Sequence, residues 1–170
     1  ITGKYQTRDI SITIQEVKET IEKTGIGLFR FAGSTTPVSL SNRIADALLT
    51  EGLHIEYSMF IRAESKAQER LPELVECYEK IIRSGLRAVF LGVEAANNVV
   101  LSKIMDKGGS VEDMYFTVKA IKQASYNQKI HLDVGVSFIY PCPIPPDSGI
   151  THEQILEENL RLLRKLKNEN

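Results

Sequence analysis

Apolar positions along the chain fall into two alternating rhythms. Four short runs, GLFRFAG (27–33), HIEYSMFIR (54–62), RAVFLGVE (87–94) and HLDVGVSFIY (131–140), are apolar with small or polar residues at their ends. Runs of this length between glycine breaks read as buried parallel strands. Between them the period changes to that of a helix. SITIQEVKETIEKTG places Ile12, Ile14, Val17 and Ile21 on one stripe and stops at Gly25, a helix C-cap. SLSNRIADALLTEG does the same with Leu40, Ile44 and Leu48 and stops at Gly52. LPELVECYEKIIRSG has proline in its first turn and ends at Gly85. A short helix follows Glu94. SVEDMYFTVKAIKQAS then starts at Ser110 with Asp113 three residues on, a capping-box pattern. THEQILEENLRLLRKLK closes the chain with Ile155, Leu156, Leu160 and Leu163.

The predicted order is α-β-α-β-α-β-α-α-β-α. Repeated helix–strand alternation argues for right-handed crossovers and an all-parallel sheet, either doubly wound or part of a barrel. No GxGxxG follows any strand, which disfavours a dinucleotide-binding domain. A complete (β/α) barrel takes about 200–250 residues, and this chain has 170. The preferred reading is α/β: a partial, parallel, TIM-like barrel of about four strands with outer helices, in one domain spanning 1–170. Because the chain opens on Ile1 and ends in a charged helix, it is expected to be a piece of a longer protein, truncated at both ends.

Charge narrows the function classes. With 21 Lys and Arg against 22 Asp and Glu, the net charge is −1, which supports neither a nucleic-acid surface nor a polybasic membrane patch. No apolar run reaches the 18–20 residues of a spanning helix, and no signal-peptide pattern is present. Cys77 and Cys142 fit no zinc spacing and no disulfide framework, so a reducing cytoplasm is expected. A partial barrel would also expose sheet edges, so the isolated piece is expected to self-associate or to be only marginally stable.

Ligands of parallel α/β sheets bind at the carboxyl ends of the strands. Those ends carry Gly33, Ser34, Thr35 and Thr36; Ser58, Met59 and Arg62; Glu94, with Asn97 and Asn98 behind it; and Ser137, Tyr140 and Cys142. His54 and His131 sit at strand starts and His152 opens a helix, so no Ser/His/Asp arrangement forms, and structural or surface roles are expected for all three. Glu94 stands alone, which rules against a hard-metal cluster. The remaining set suits a polar, zwitterionic small molecule: Glu94 for an amine or hydroxyls, Arg62 or Lys107 for a carboxylate. Such residues do not break a difficult bond unaided, so a reactive cofactor is implied.

Four blocks carry a family resemblance: GKYQTRDISITIQEVKETIEKTGIGLFRFAGSTT, IEYSMFIRAES, GLRAVFLGVEAANNVVLSKIMDKGGSVEDMYFTVKAIKQA and GVSFIYPCPIPP. In order and spacing they resemble the radical S-adenosylmethionine superfamily, nearest its cobalamin-linked and methylthiotransferase-like members. GVEAANNVVLSKIMDKG is the most specific. The resemblance implies a partial (β/α)6 barrel that uses S-adenosylmethionine and a 4Fe–4S cluster to generate a 5′-deoxyadenosyl radical for hydrogen abstraction, with cobalamin allowed in the parent protein. It implies that Glu94 approaches the cofactor's methionine or ribose part and that Lys107 lies near its carboxylate. Ser58 and Arg62 would line the pocket, Gly33, Ser34 and Thr35 would form the loop meeting the amino group, and Ser137 with Tyr140 would supply the last wall. The C-x3-C-x2-C cluster loop is absent from this sequence, so the cluster's ligands are expected outside it and the chain alone is expected to be inactive. AGSTT lacks the family's acidic pair, and YPCPIPPDSG stands where the family has G-L-P-G-E-T. Two other readings stay open: a non-catalytic barrel scaffold or binding module, and a phosphate-binding barrel enzyme using KGGS as an anion nest at a helix start.

Overall fold

In the computed structural model, which describes residues 7–168, the elements follow the predicted order. They are α1 (Ile10–Thr24), β1 (Leu28–Thr36), α2 (Val38–Thr50), β2 (Glu56–Ile61), α3 (Leu71–Arg83), β3 (Leu86–Glu94), α4 (Asn98–Lys103), α5 (Val111–Gln128), β4 (Asp133–Phe138) and α6 (His152–Lys167). The first six residues, which begin the first motif block, lie outside the described part.

The strands form one open, all-parallel sheet in the order β1-β2-β3-β4. Sequential order with right-handed crossovers puts the connecting helices on one face, whereas a doubly wound sheet covers both. Burial along the strands agrees. Tyr57, Met59 and Ile61 of β2 and Val89, Leu91 and Val93 of β3 are buried against helices, while Phe60 is half-buried and Phe90 is exposed on the other side. This is an open segment of a (β/α) barrel, helices outside and a concave face within. The core joins those strand residues to Ile14, Val17, Leu48, Leu74, Ile81, Val118 and Ile121 of the helices. Among the described residues no helix is long and apolar enough to cross a membrane.

The helix ends match the sequence chemistry. Asp9 caps α1 by accepting from the Ser11 amide at 2.8 Å, and Gly25 ends it at φ 69°. Capping boxes start α5 (Ser110 with Asp113) and α6 (Thr151 with Gln154). Two helix stripes differ from expectation. Ile12 is half-exposed, and its place in the core is taken by Ile10. In α6 the buried face is Ile155, Asn159, Leu162 and Leu166, leaving Leu156, Leu160 and Leu163 on the exposed side. Both α6 stripes satisfy the 3.6-residue period, and the hydrogen bond made by Asn159, described below, selects between them.

Two carboxylates stitch the rim at the carboxyl ends of the strands. Glu64, after β2, accepts from the Val38 amide that opens α2 (2.9 Å), while its own amide donates to Thr117 Oγ1 (2.9 Å). Asp113 closes its capping box and also accepts from the Ala67 amide at 3.1 Å. Burial alone would raise the Asp113 carboxyl, but donors from the Ser110 amide, the Ala67 amide, the Ser110 hydroxyl and the Lys66 amide hold it below the usual aspartate range. A depressed folded value means that Asp113 stabilises above the ordinary aspartate pKa of about 3.9, and that this stability is lost as pH falls through the lower folded value. The protection factor of the Ala67 amide, its exchange relative to an unstructured peptide at the same pH, is therefore expected to be high at about pH 5 and to fall as the Asp113 carboxylate takes up its proton. Asp113→Asn should remove that pH dependence. Ser110→Ala should cost about 1 kcal/mol in a denaturant titration.

Candidate functional site

β3 ends in an unusual turn. Glu94 has φ 65°, a left-handed conformation uncommon for a residue with a side chain. Its neighbours impose it: the Ala95 amide donates back to the Val93 carbonyl (2.9 Å), and the Ile139 amide donates to the Glu94 carbonyl (2.8 Å). The register with β4 slips between Gly92 and Glu94. Beyond it, Asn159 Oδ1 of α6 accepts from the Ala96 amide (2.7 Å), and Asn97 Nδ2 donates to Glu158 (2.8 Å). Asn97 also caps α4. Ala95, Val100, Cys142 and Ile155 form a small apolar cluster under the turn. Backbone strain held this firmly from several sides is a mark of functional positions.

The turn folds the Glu94 side chain back over Gly92. Lys107, brought in by the loop after α4, donates from Nζ to Glu94 Oε1 at 2.9 Å and also to the Gly92 carbonyl oxygen. Gly92 makes room for both. A Cβ there would clash with the Glu94 carboxylate oxygen and lie 3.4 Å from Lys107 Nζ. Both charged side chains are about one-quarter exposed, at 27% for Glu94 and 25% for Lys107.

These groups form one end of a cavity of about 440 Å³ on the concave face, which Phe60, Arg62, Phe90 and Ser137 also line. The size suits a small ligand. Another cavity of about 430 Å³, between α5 and the start of β4, carries no comparable juxtaposition of opposite charges over a strained turn.

Of the residues expected at the site, the structure brings together Glu94, Lys107, Arg62 and Ser137. Ser58 lies on β2 two residues before Phe60 and does not line the cavity. Gly33, Ser34 and Thr35 are not in a loop. They belong to β1, whose register with β2 slips between Phe31 and Thr36 and resumes at the Thr36–Ile61 pair. Small polar residues conceal a strand end that backbone pairing alone carries. Tyr140 is exposed beyond β4, edge-on to the His152 ring (centroids 6.4 Å apart), away from the cavity lining. His54, His131 and His152 are all exposed, as expected for surface roles, and His131 pairs with Asp133 at 3.1 Å. Cys142 is a buried apolar residue.

One feature of the concave face is not apparent in the sequence. Arg30 of β1 lies over the rings of Phe60 and Phe90, 4.9 Å and 5.6 Å from their centroids. The signal available was an arginine interrupting the apolar run FRF, and only the strand register places it beneath two phenyl rings from β2 and β3.

The donor set fits a zwitterion such as S-adenosylmethionine: a carboxylate for an amine or ribose hydroxyls, and cations for a carboxylate. It does not fit an iron–sulfur cluster. Among the described residues no group of three or more His, Cys, Asp or Glu side chains could hold a metal ion, and Cys77 and Cys142 lie in a helix and in a packed cluster.

No protein-family model and no curated protein matches the chain. Solved structures of the cobalamin-dependent S-adenosylmethionine radical enzyme OxsB do. With aqua-cobalamin bound, that enzyme superposes with a TM-score of 0.66 at 16% identity, covering 91% of this chain and 22% of that one. Its apo form gives 0.66 at 16% identity over 95% and 23%. The form with aqua-cobalamin and S-adenosylmethionine gives 0.61 at 18% identity over 91% and 22%. This chain thus spans less than a quarter of the enzyme's length. At these identities the likeness is one of fold: over more than nine-tenths of its length, the chain has the fold of one part of a cobalamin-dependent S-adenosylmethionine radical enzyme.

Proposed function

We propose that this chain is the cofactor-binding core of a cytoplasmic radical S-adenosylmethionine enzyme, in which reductive cleavage of the bound cofactor supplies hydrogen-atom abstraction from a substrate. The observation that carries the reading is the Gly92–Glu94–Lys107 arrangement: a strained acid at the carboxyl end of the third parallel strand, folded over a glycine onto a lysine. It stands in a fold found in such an enzyme. Glu94 accepts from the cofactor's amine or ribose hydroxyls. Lys107 holds that carboxylate in place when no ligand is bound and turns to the cofactor's own carboxylate when one is. Arg62 and Ser137 complete the polar wall. The iron–sulfur cluster has no ligand set among the described residues, so no step is assigned through it; cobalamin is a further cofactor of the parent protein on this reading.

The phosphate-nest reading is disfavoured by α5 itself. At the helix start the anionic position is filled by the carboxylate of Asp113, which accepts from the Ser110 amide and hydroxyl, while the Val111 amide donates to Asn98.

Anaerobic purification of the full protein tests the proposal. About four irons per chain, and calorimetric binding of S-adenosylmethionine that perturbs the spectrum of the reduced cluster, are expected. Absence of both iron and binding would replace it with a barrel scaffold. Among the described residues, the outer edges of β1 and β4 are unpaired in the sheet. On that basis we also propose that this chain in isolation self-associates, so its sedimentation coefficient should rise with concentration.

A further inference from the structure

The concave face holds a cation that the cofactor reading does not use. Arg30 is exposed, and its side chain has no hydrogen bond or ion pair to any other described residue. Its guanidinium carbon lies over the rings of Phe60 and Phe90, at cation–π distances of 4.9 and 5.6 Å from their centroids, and the two rings are themselves 5.5 Å apart and tilted by 42°. With no hydrogen-bond or ion-pair partner among the described residues, its N–H donors are available, and a guanidinium edge matches a carboxylate or phosphate with two parallel hydrogen bonds. The ring beneath it is also held in place. Gly135, paired with Phe90 across the sheet, leaves the space the ring fills, since a Cβ there would lie 2.8 Å from Phe90 Cδ1. Phe90 is 40% exposed toward the cavity, an apolar surface beside a free cation.

Phe90 and Glu94 line the same cavity, and the Glu94 carboxylate folds back over Gly92, two residues or about 7 Å along β3 from Phe90. A ligand held at Glu94 therefore leaves the arginine–phenyl layer open below it. We propose that this layer binds the substrate, and that the substrate is an organic oxyanion with a flat apolar body: the body lies against Phe60 and Phe90, and the carboxylate or phosphate is held by Arg30. The proposal rests on the reading of this cavity as an active site and specifies the substrate class for it. Arg62, at the rim of the same cavity and likewise without an ion-pair partner among the described residues, adds to the positive potential that draws such a molecule in.

Calorimetry on the full protein, with and without S-adenosylmethionine, tests this using benzoate, phenyl phosphate and benzyl alcohol as probes. Both anions should bind at least about tenfold more tightly than the neutral alcohol, and whichever anion binds more tightly identifies the head group. Arg30→Met should abolish that preference, and Arg30→Lys should lose most of it, because an ammonium neither stacks flat nor presents a fork. Phe90→Leu should weaken all three probes. Binding of S-adenosylmethionine should be unchanged in Arg30→Met, which also reports that the variant is folded. Equal affinity for benzoate and benzyl alcohol, or an anion preference surviving in Arg30→Met, would overturn the proposal. Arg30-dependent anion binding in a protein that takes up no S-adenosylmethionine would overturn the cofactor reading and leave this one standing.

Discussion

Gly85→Ala is expected to destabilise the fold by about 3–5 kcal/mol, a large part of the 5–15 kcal/mol that holds a typical domain together. Two independent causes act at this position. Its φ is 115°, outside the range that a residue with a Cβ tolerates. The added carbon would also sit deep inside contact distance of the Ile55 carbonyl oxygen, and 3.0 Å from its carbon. Neither group moves cheaply, because both are backbone at the start of the sheet. The Gly85 carbonyl accepts from the Tyr57 amide (2.9 Å) in the first rung between β2 and β3. Relief would have to shift Ile55 and Tyr57, both buried, against α3. Gly109→Ala is the control, since Gly109 has nearly the same φ of 116° but its added Cβ would meet nothing closer than 3.9 Å. It should cost only about 1–2 kcal/mol, the backbone component alone. Chemical denaturation of both variants separates the two causes, and equal losses would mean that the close approach to Ile55 does not matter.

The order of the elements was legible because each change between the two periods is marked by chemistry that acts locally. Gly25, Gly52 and Gly85 follow helices at positive φ, Ser110 and Thr151 begin helices with boxes, and β-branched and aromatic residues fill the strands. What escaped the sequence depends on partners far along the chain. β1 runs on past Gly33 because its pairing with β2, interrupted after Phe31, resumes at Thr36, although small polar residues carry no strand signal. The buried face of α6 follows from Asn159 reaching the Ala96 amide, a polar residue within a helix offering two equivalent apolar stripes. Glu94 was legible as an acid at a strand end. Its left-handed backbone was not, because glutamate is a poor match for that conformation and only the surrounding hydrogen bonds impose it. Arg30 had the weakest signal, since its meaning comes from rings on two other strands. Local rules therefore recover the scaffold, and long-range register assembles the site on it.

Glu94→Gln is expected to weaken S-adenosylmethionine binding by at least about tenfold while leaving the fold intact. Glutamine keeps the shape and one acceptor oxygen but loses the charge, and a hydrogen bond to an ionised group contributes roughly 1.5–3 kcal/mol, or about 10- to 150-fold in affinity. Stability should change little, because the Lys107 contact it weakens is a quarter-exposed ion pair. Gly92→Ala offers a test that leaves the charge in place. The new methyl would clash with the Glu94 carboxylate oxygen, the movable end of a side chain, so the acid swings away at small cost to the fold. If Glu94 acts from that folded-back position, affinity should fall as in Glu94→Gln. If any carboxylate near the cavity suffices, Gly92→Ala should bind like the wild type. Lys107→Met completes the series. A lysine that turns to the cofactor's carboxylate requires affinity to fall in this variant by about tenfold. Tighter binding would instead show that Lys107 only competes with the ligand for Glu94, and its role would then be to hold the acid in place until the ligand arrives.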